Sequence, residues 1–478
     1  MTVLQVGIAR ASFRFVIPLA LVCAGTSACR RDRAATAAAT ATATAAASAA
    51  KGAAANRPVP AGDLRADRGI VTFGIYHLSS TTPAPDGLAR SLLQKAGFTI
   101  VADDPKSAPT QPLVILKSKT VAELPPPDVS TRGVRSHGIV PADQARLQKA
   151  TSVTALVFIL PKSTGAGAYR SALTVVRDLA QKSDGVIYDV VTRSLWLPEP
   201  LGAQLDHWSG DIPDVHNHVI LDVYRDGDLM RIVSLGMARF GLPDVVVDNV
   251  TLHDVRTMGG LLNVLLQTLF DAGKLERAGE LTLTLDGLRN EQFRQATLAT
   301  LKANATGQAT VALTIATRAA GDAENRLAQL SFPGPDATLQ QRQAELLSRL
   351  FGSVDVATPT SQNDAELQAA SVRARRALAL LKPRMTPRPP ELEHLMVKLP
   401  FATPDGNEEL MWIDVVRWEG KKLQGILEND PVEARDLKAG SRVQGDEDRV
   451  LDYVWRRADG SEAGNETSRI LEARQKSQ

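Results

Sequence analysis

Cysteine is nearly absent from this 478-residue chain: Cys23 and Cys29 are the only two, and both lie beside the N-terminus. Everything after them is free of disulfides, zinc–cysteine sites and cysteine nucleophiles. Aromatic residues make up 4% of the sequence, and no basic block exceeds Arg30-Arg31. Nucleic-acid binding needs a basic face and usually interleaved aromatics, so that class is set aside. Charge of one sign is also missing. The chain has 55 basic and 53 acidic residues, and without residues 1–28, which hold Arg10 and Arg14 and no acid, 53 of each remain. No apolar run reaches the about 20 residues that span a bilayer. Common catalytic signatures do not occur: there is no Gly-x-Ser-x-Gly, no His-Glu-x-x-His and no Gly-Lys-Ser/Thr phosphate loop.

The N-terminus is informative. Residues 15–25, FVIPLALVCAG, form a short apolar run behind Arg10 and Arg14, and Gly25, Thr26, Ser27 and Ala28 lead to Cys29. A basic start, a short apolar run and a small-residue cleavage zone are the layout of a secretory signal peptide. Thr26-Ser27-Ala28 before Cys29 resembles the bacterial lipobox, with Thr26 where that pattern usually has leucine. The resemblance implies cleavage after Ala28 and a lipid on Cys29. It also implies a cell-envelope protein held to the membrane through that lipid, on the periplasmic side or at the surface. Ordinary secretion with a free Cys29 is the alternative, and a cytoplasmic chain with a misassigned start is another. Residues 34–56 are almost entirely Ala and Thr, with no apolar face to bury, which predicts a solvated tether.

From residue 69 the pattern alternates between strands and helices. Strands are expected at 69–78 and 112–119, and a helix at 86–98. Residues 152–191 predict a strand, a helix with Tyr169, Leu173, Val176 and Leu179 at helical spacing, and a second strand. That βαβ unit argues a parallel or mixed sheet with a right-handed crossover. Further strands are expected at 218–236, turning at Asp226-Gly227, and at 243–250, 281–287 and 309–317. The apolar helix 259–273 is expected to be central, and a helix at 338–351 to close the body. The domain division is a signal at 1–28, a tether at 29–66, an α/β domain at 67–351, a helix and proline-rich linker at 352–390, and a small β domain at 391–478. The fold class is α+β, with a mixed-sheet body and a small antiparallel, barrel-like C-terminal domain.

The C-terminal segment carries a series of spaced residues. They are Val397-Lys398-Leu399-Pro400-Phe401, Glu409, Met411-Trp412, Gly425, Leu427, Asn429, Pro431, Gly440, Val443 and Asp452-Tyr453. In this order and spacing the segment resembles domain of unknown function family 2314, a bacterial family. Leu410 and Tyr453 depart from it, since histidine and tryptophan are more usual there. Residues 69 to about 330 resemble a second bacterial family, domain of unknown function family 4261. That likeness lies in Val186-Ile187-Tyr188-Asp189, Leu235-Gly236-Met237, Phe240-Gly241 and Pro243-Asp244. Both resemblances imply a fold and neither implies a reaction.

Three constellations could carry chemistry. Lys162-Ser163-Thr164-Gly165-Ala166-Gly167 joins a strand to a helix, and Asp189 follows near where a ribose-binding acid would sit. Arg170 stands where a third glycine belongs, so an ordinary connection is the simpler account. His207, His216 and His218, with Asp206, Asp211 and Asp214, form the densest His/Asp cluster. His216 and His218 would share a strand face, as a zinc site could use; loop polarity explains the same residues. Glu409, Asn429 and Asp452, beside Trp412 and Trp418, could line a groove for a peptide or sugar. Core packing of Trp412 and turn chemistry at Asn429-Asp430-Pro431 compete with that. The combined expectation is a non-enzymatic binding or scaffold protein with no cofactor and an unknown protein or small-molecule partner. An enzyme with its site in the body or between the domains is the alternative.

Overall fold

The computed structural model of the protein describes residues 57–78, 85–128, 134–352, 364–390 and 393–476, apart from residues 303, 323, 336, 405, 407, 432, 435 and 458–460. The signal region, Cys29 and residues 34–56 lie outside the described residues, whereas 57–66, expected as the end of the tether, pack on the body: Gly62–Asp63 pair with Lys274–Leu275, and Val59 and Leu64 are buried in its core. Three large sheets, this two-stranded ribbon and flanking helices make an α+β protein.

The N-terminal sheet has seven strands: β1 (Arg68–His77), β2 (Thr99–Val101), β3 (Leu113–Thr120), β4 (Arg135–His137), β5 (Ser152–Pro161), β6 (Gly185–Asp189) and β7 (Ser194–Trp196). Their order is β2-β3-β5-β1-β6-β7-β4. Helices α1 (Pro85–Lys95), α2 (Pro141–Leu147), α3 (Gly167–Lys182) and α4 (Pro198–Ala203) accompany them. The expected unit β5–α3–β6 is present, but β1 lies between its strands and runs antiparallel to both. Ile75 faces Thr154 on one side and Ile187 on the other. Parallel pairs occur only at the two ends, β2–β3 and β4–β7, so the sheet is mixed. Helix α3 buries Tyr169, Leu173, Val176 and Leu179 in one cluster with Phe73, Leu156 and Phe158, as its spacing predicts.

The middle sheet contains β8 (Ile220–Asp226), β9 (Leu229–Leu235), β10 (Asp244–Val250), β11 (Glu280–Thr284), β12 (Gln308–Ile315) and β13 (Leu327–Ser331), in the order β11-β12-β13-β10-β9-β8. Helices α5 (Val255–Ala272), α6 (Glu291–Leu298) and α7 (Leu339–Phe351) belong to this part. The β8–β9 hairpin turns where expected, with Asp226 opposite Leu229 and Gly227 at φ 66°. Helix α5 is the central apolar helix. It buries Leu261, Leu262, Leu265, Leu266 and Leu269 and ends at Gly273, whose φ of 67° a side chain would resist. Strand β13 and the short helices α2, α4 and α6 are not evident in the sequence pattern, because each is too short to show a period.

The C-terminal part comprises helix α8 (Ala365–Met385), strands β14 (His394–Ala402), β15 (Glu408–Glu419), β16 (Lys422–Leu427), β17 (Arg442–Asp446), β18 (Asp452–Arg456) and β19 (Glu462–Gly464), and helix α9 (Glu466–Lys476). The order is β17-β16-β15-β14-β18-β19, antiparallel throughout. This corrects the barrel-like expectation: β17 and β19 are end strands, and the sheet stays open. A barrel would bury one face in its own interior; here a helix and the body cover the two faces instead. Helix α8 packs Leu378 and Met385 with Val397, Leu399, Met411, Ile413 and Trp418 on one face. The other face lies on the body, where Met396, Trp412 and Val454 share a buried cluster with Leu261 and Leu265. The segment 352–390, expected as a helix and linker, thus supplies part of this domain's core.

The N-terminal and middle parts meet closely at Gly69. A Cβ there would lie 2.3 Å from the Arg239 carbonyl oxygen, which is backbone and cannot swing away. Gly69→Ala is therefore expected to cost about 2–3 kcal/mol through forced displacement. A matching fall in the urea midpoint with an unchanged slope checks it.

Candidate functional site

The inner face of the C-terminal sheet presents two rows of side chains. Strand alternation and register place Trp412 (β15) opposite Lys398 (β14), and Lys398 opposite Asp452 (β18). Glu428, just past β16, extends this row, its backbone N–H donating to the Trp412 carbonyl at 2.9 Å. The adjacent row is Ile426, Asp414, Met396 and Val454. A face that mixes acids, a lysine and a tryptophan this way is unusual for an interior, and each polar group needs a partner.

Asp414 and Glu428 face the body, and both are 1% exposed. Arg225, on edge strand β8, crosses the joint and donates to the Asp414 carboxylate. His394 Nδ1 lies 4.0 Å from the other Asp414 oxygen. Glu428 Oε2 accepts from the His253 amide at 2.9 Å, in the turn that leads into α5. Burial pushes the Asp414 carboxyl up, against the pull of Arg225. Burial pushes Glu428 up further, and the neighbouring Asp414 charge adds to it. Around this pair, Arg442 pairs with Asp228 in the hairpin turn, and the Thr338 hydroxyl donates to Asp430. The joint is a ring of polar fastenings about an apolar patch.

Of the residues expected to line a groove, Trp412, Asn429 and Asp452 sit in and beside this joint and Trp418 lies on the opposite, α8-covered face, and their polar atoms are already engaged. Asp452 Oδ2 accepts from the Thr467 amide (2.7 Å) and hydroxyl (2.6 Å), fixing the first turn of α9. Asn429 Oδ1 accepts from the Trp412 amide at 3.1 Å. Glu409 accepts from the amides of Glu433 and Ala434, both at 3.0 Å. Trp412 is 9% exposed, with the Lys398 ammonium 5.6 Å from its ring centre. Partial burial pushes that ammonium down, and Asp452 opposes the shift. Trp418 is core, its indole donating to Glu447 at 2.8 Å.

The histidines do not converge. Val215–Asn217 is a 3₁₀ turn held by the Asp214 carboxylate, so His216 and His218 do not share a strand face. His216 points outward and stacks on Phe293, and His207 is exposed. His218 is buried: Trp208 Nε1 donates to its Nε2 at 3.0 Å, and its Nδ1 lies 3.3 Å from the Tyr169 hydroxyl. An indole nitrogen only donates, so Nε2 is bare and Nδ1 carries the proton. Both ring nitrogens are thereby used. Among the described residues no group of three His, Cys, Asp or Glu is placed to hold a metal. In the glycine loop, Lys162 pairs with Asp63. Asp189 is buried against Arg239 at 2.9 Å and caps the amides of Val191 and Thr192, which leaves no carboxylate for a ribose.

The α8–α9 contact closes the C-terminal part on itself. Arg474 of α9 donates to Asp364, the N-cap of α8, and Arg373 of α8 pairs with Glu466 of α9. The span so pinned is the span of a family match. The C-terminal part matches domain of unknown function family 2314. The match covers residues 364–476, and the family is described as an uncharacterized protein conserved in bacteria. Helix α8 thus falls inside the family 2314 module. No curated protein and no solved structure matches the chain.

Asp414, Glu428 and Arg225 were not singled out from the sequence. The signal was available for Asp414: in Leu410–Val415 it alternates with Trp412 against Met411 and Ile413, an acid at an inward position. Arg225→Leu is expected to cost about 3 kcal/mol, because it strands a buried carboxylate. The double variant Arg225→Leu/Asp414→Leu should recover part of that loss. Urea unfolding of the three variants against the parent checks both statements.

Proposed function

We propose that this protein is a cell-envelope lipoprotein, held to the membrane through a lipid on Cys29, whose folded part is a non-enzymatic binding unit for a small polar molecule. The signal-like residues 1–28 and the tether support the location. The observation that carries the binding reading is a cavity of about 430 Å³ at one end of the N-terminal sheet. On the helix-covered face of that sheet the strands turn polar there, with Ser118 and Thr154 side by side and His77 opposite Ser152. His77 and Thr154 form a buried floor, with Thr154 Oγ1 2.8 Å from His77 Nε2. Above it, Asp86 accepts from Arg90 Nε and from the Ser118 hydroxyl, both at 3.1 Å. Leu116 and Pro85 supply apolar wall. Donors from Arg90 and acceptors from Asp86 suit a ligand that carries both kinds of group, at a size usual for small-molecule sites.

The engaged state of Asp452, Asn429 and Glu409 also supports a non-catalytic reading of the family 2314 module. The competing enzyme reading draws on Asp414 and Glu428, since raised carboxyls mark many active sites; in the docked state their closure against the body leaves a substrate no approach. The likeness of residues 69 to about 330 to family 4261 belongs to this proposal and brings no chemistry of its own.

Intact mass of the protein from its own membranes tests both parts. A diacyl or triacyl increment on a chain beginning at Cys29 is expected, and an unmodified chain overturns the location. A retained small molecule in the native mass, lost in Asp86→Asn and Arg90→Gln variants, is expected. A retained metal or nucleotide would turn the reading to an enzyme.

A further inference from the structure

We propose that the joint between the C-terminal module and the body is a proton-dependent clasp, closed while Asp414 and Glu428 hold at least one proton between them and loosened when both are ionised. The geometry sets this up. Two fully buried carboxyls lie within one another's field, and one guanidinium, Arg225, donates to Asp414 from β8. Other charged groups nearby are committed. From β18, Arg456 pairs with Glu462, and Asp452 is held by Thr467. From β14, Lys398 leans on the Trp412 ring on the Asp452 side, and His394 approaches Asp414 no closer than 4.0 Å. In the hairpin turn, Asp228 is taken by Arg442. From the turn before α5, His253 offers its backbone amide, and Asp254 is bonded to Thr251. Arg225 bonds Asp414, with Arg456 and His394 farther off, whereas Glu428 is buried on the His253 amide, and a second full charge there is what burial does not tolerate, so a proton stays in the joint.

The sign follows from linkage. Both carboxyls are raised by burial, so the docked state holds a proton that a solvated, undocked state releases. Docking is at full strength within the ordinary carboxyl range and is lost as pH rises through the raised one, across neutrality and above. One proton is at stake, so the undocking constant rises about tenfold per pH unit in that window. Undocking uncovers Trp412 and Met396, both buried in the joint.

The test follows the purified full chain from about pH 6 to about pH 9 by small-angle X-ray scattering and tryptophan emission. Reversible expansion with a red-shifted emission is expected for the parent. Glu428→Gln, which keeps an acceptor for the His253 amide and cannot ionise, should stay compact over the whole range. Asp414→Asn, which removes the second charge by another route, should also flatten the profile and stands in if the first variant fails to fold. A parent that stays compact at the upper pH overturns the proposal, and so does a variant profile identical to the parent's.

Discussion

A buried charge must find its opposite, and in this chain that requirement falls repeatedly on the arginines of one short stretch. Arg225, Arg231 and Arg239 lie on the β8–β9 hairpin and the turn after it. Each reaches a different part of the molecule. Arg225 meets Asp414 of the C-terminal sheet, and Arg239 meets Asp189 of the N-terminal sheet. Arg231, 4% exposed, meets Asp248 and Asp322 within the middle part. The hairpin is thus the piece against which the other two sheets are set. Such pairs add little net stability over apolar packing, because desolvation offsets the attraction. What they supply is selectivity: any other docking would leave a guanidinium or a carboxylate buried alone. With no cysteine after Cys29, no disulfide can do that job.

The networks around these arginines differ in what they leave titratable. At Arg239 the Tyr169 hydroxyl and Asp189 share the guanidinium, and a neutral His218 with a fixed tautomer completes the chain of bonds. At Arg231, Asp322 accepts in bidentate fashion and also takes the Tyr224 hydroxyl and the Ala319 amide. That crowd of donors holds the Asp322 carboxyl below its usual range. At Arg225 the balance tips the other way, since Asp414 and Glu428 are both buried and the guanidinium bonds only Asp414. The same type of contact therefore builds two fixed networks and one responsive joint, and burial of the second acid decides which: Asp248 beside Arg231 is part-exposed, whereas Glu428 is closed in.

How far the sequence foretold this depends on what was periodic. Helices α3 and α5 and strands β11 and β12 carried clear 3.6- or 2-residue patterns, and they form where expected. Strand β13 did not, because the five residues Leu327–Ser331 are too few for a two-residue period to stand out in the sequence. The β5–α3–β6 unit was legible, but the insertion of β1 between its strands was not, since β1 precedes the unit by some 80 residues and pairing at that range leaves no local mark. The barrel expectation failed for a related reason. Short alternating strands fit an open sheet equally well once two covers exist, and one cover, α8, looked polar outside its buried side. For the site, the expected groove residues Trp412, Asn429 and Asp452 lie on or beside the face that meets the body. A groove and a joint have the same composition until something is laid across them.

The C-terminal module separates folding from docking along single strands. The residues that carry the family resemblance mostly shape the module itself. Val397, Leu399, Met411, Leu427 and Val443 are its core, and Glu409, Asn429 and Asp452 tie down its loops and last helix. Gly425 is part of that set because a Cβ there would sit 2.5 Å from the Asp414 carbonyl oxygen of the adjoining strand. The residues that reach the body are interleaved with these. Asp414 lies two positions after Trp412, Glu428 one before Asn429, and Asp430 one after it. Alternation in a strand makes this possible, since neighbouring positions point to opposite faces and can serve different tasks. One such face can therefore take on a partner-specific set of charges while its reverse keeps the packing that defines the fold. In this chain the partner is the body itself, reached through Arg225 and the His253 amide, and the charge left unbalanced there is a property of the pairing rather than of the module.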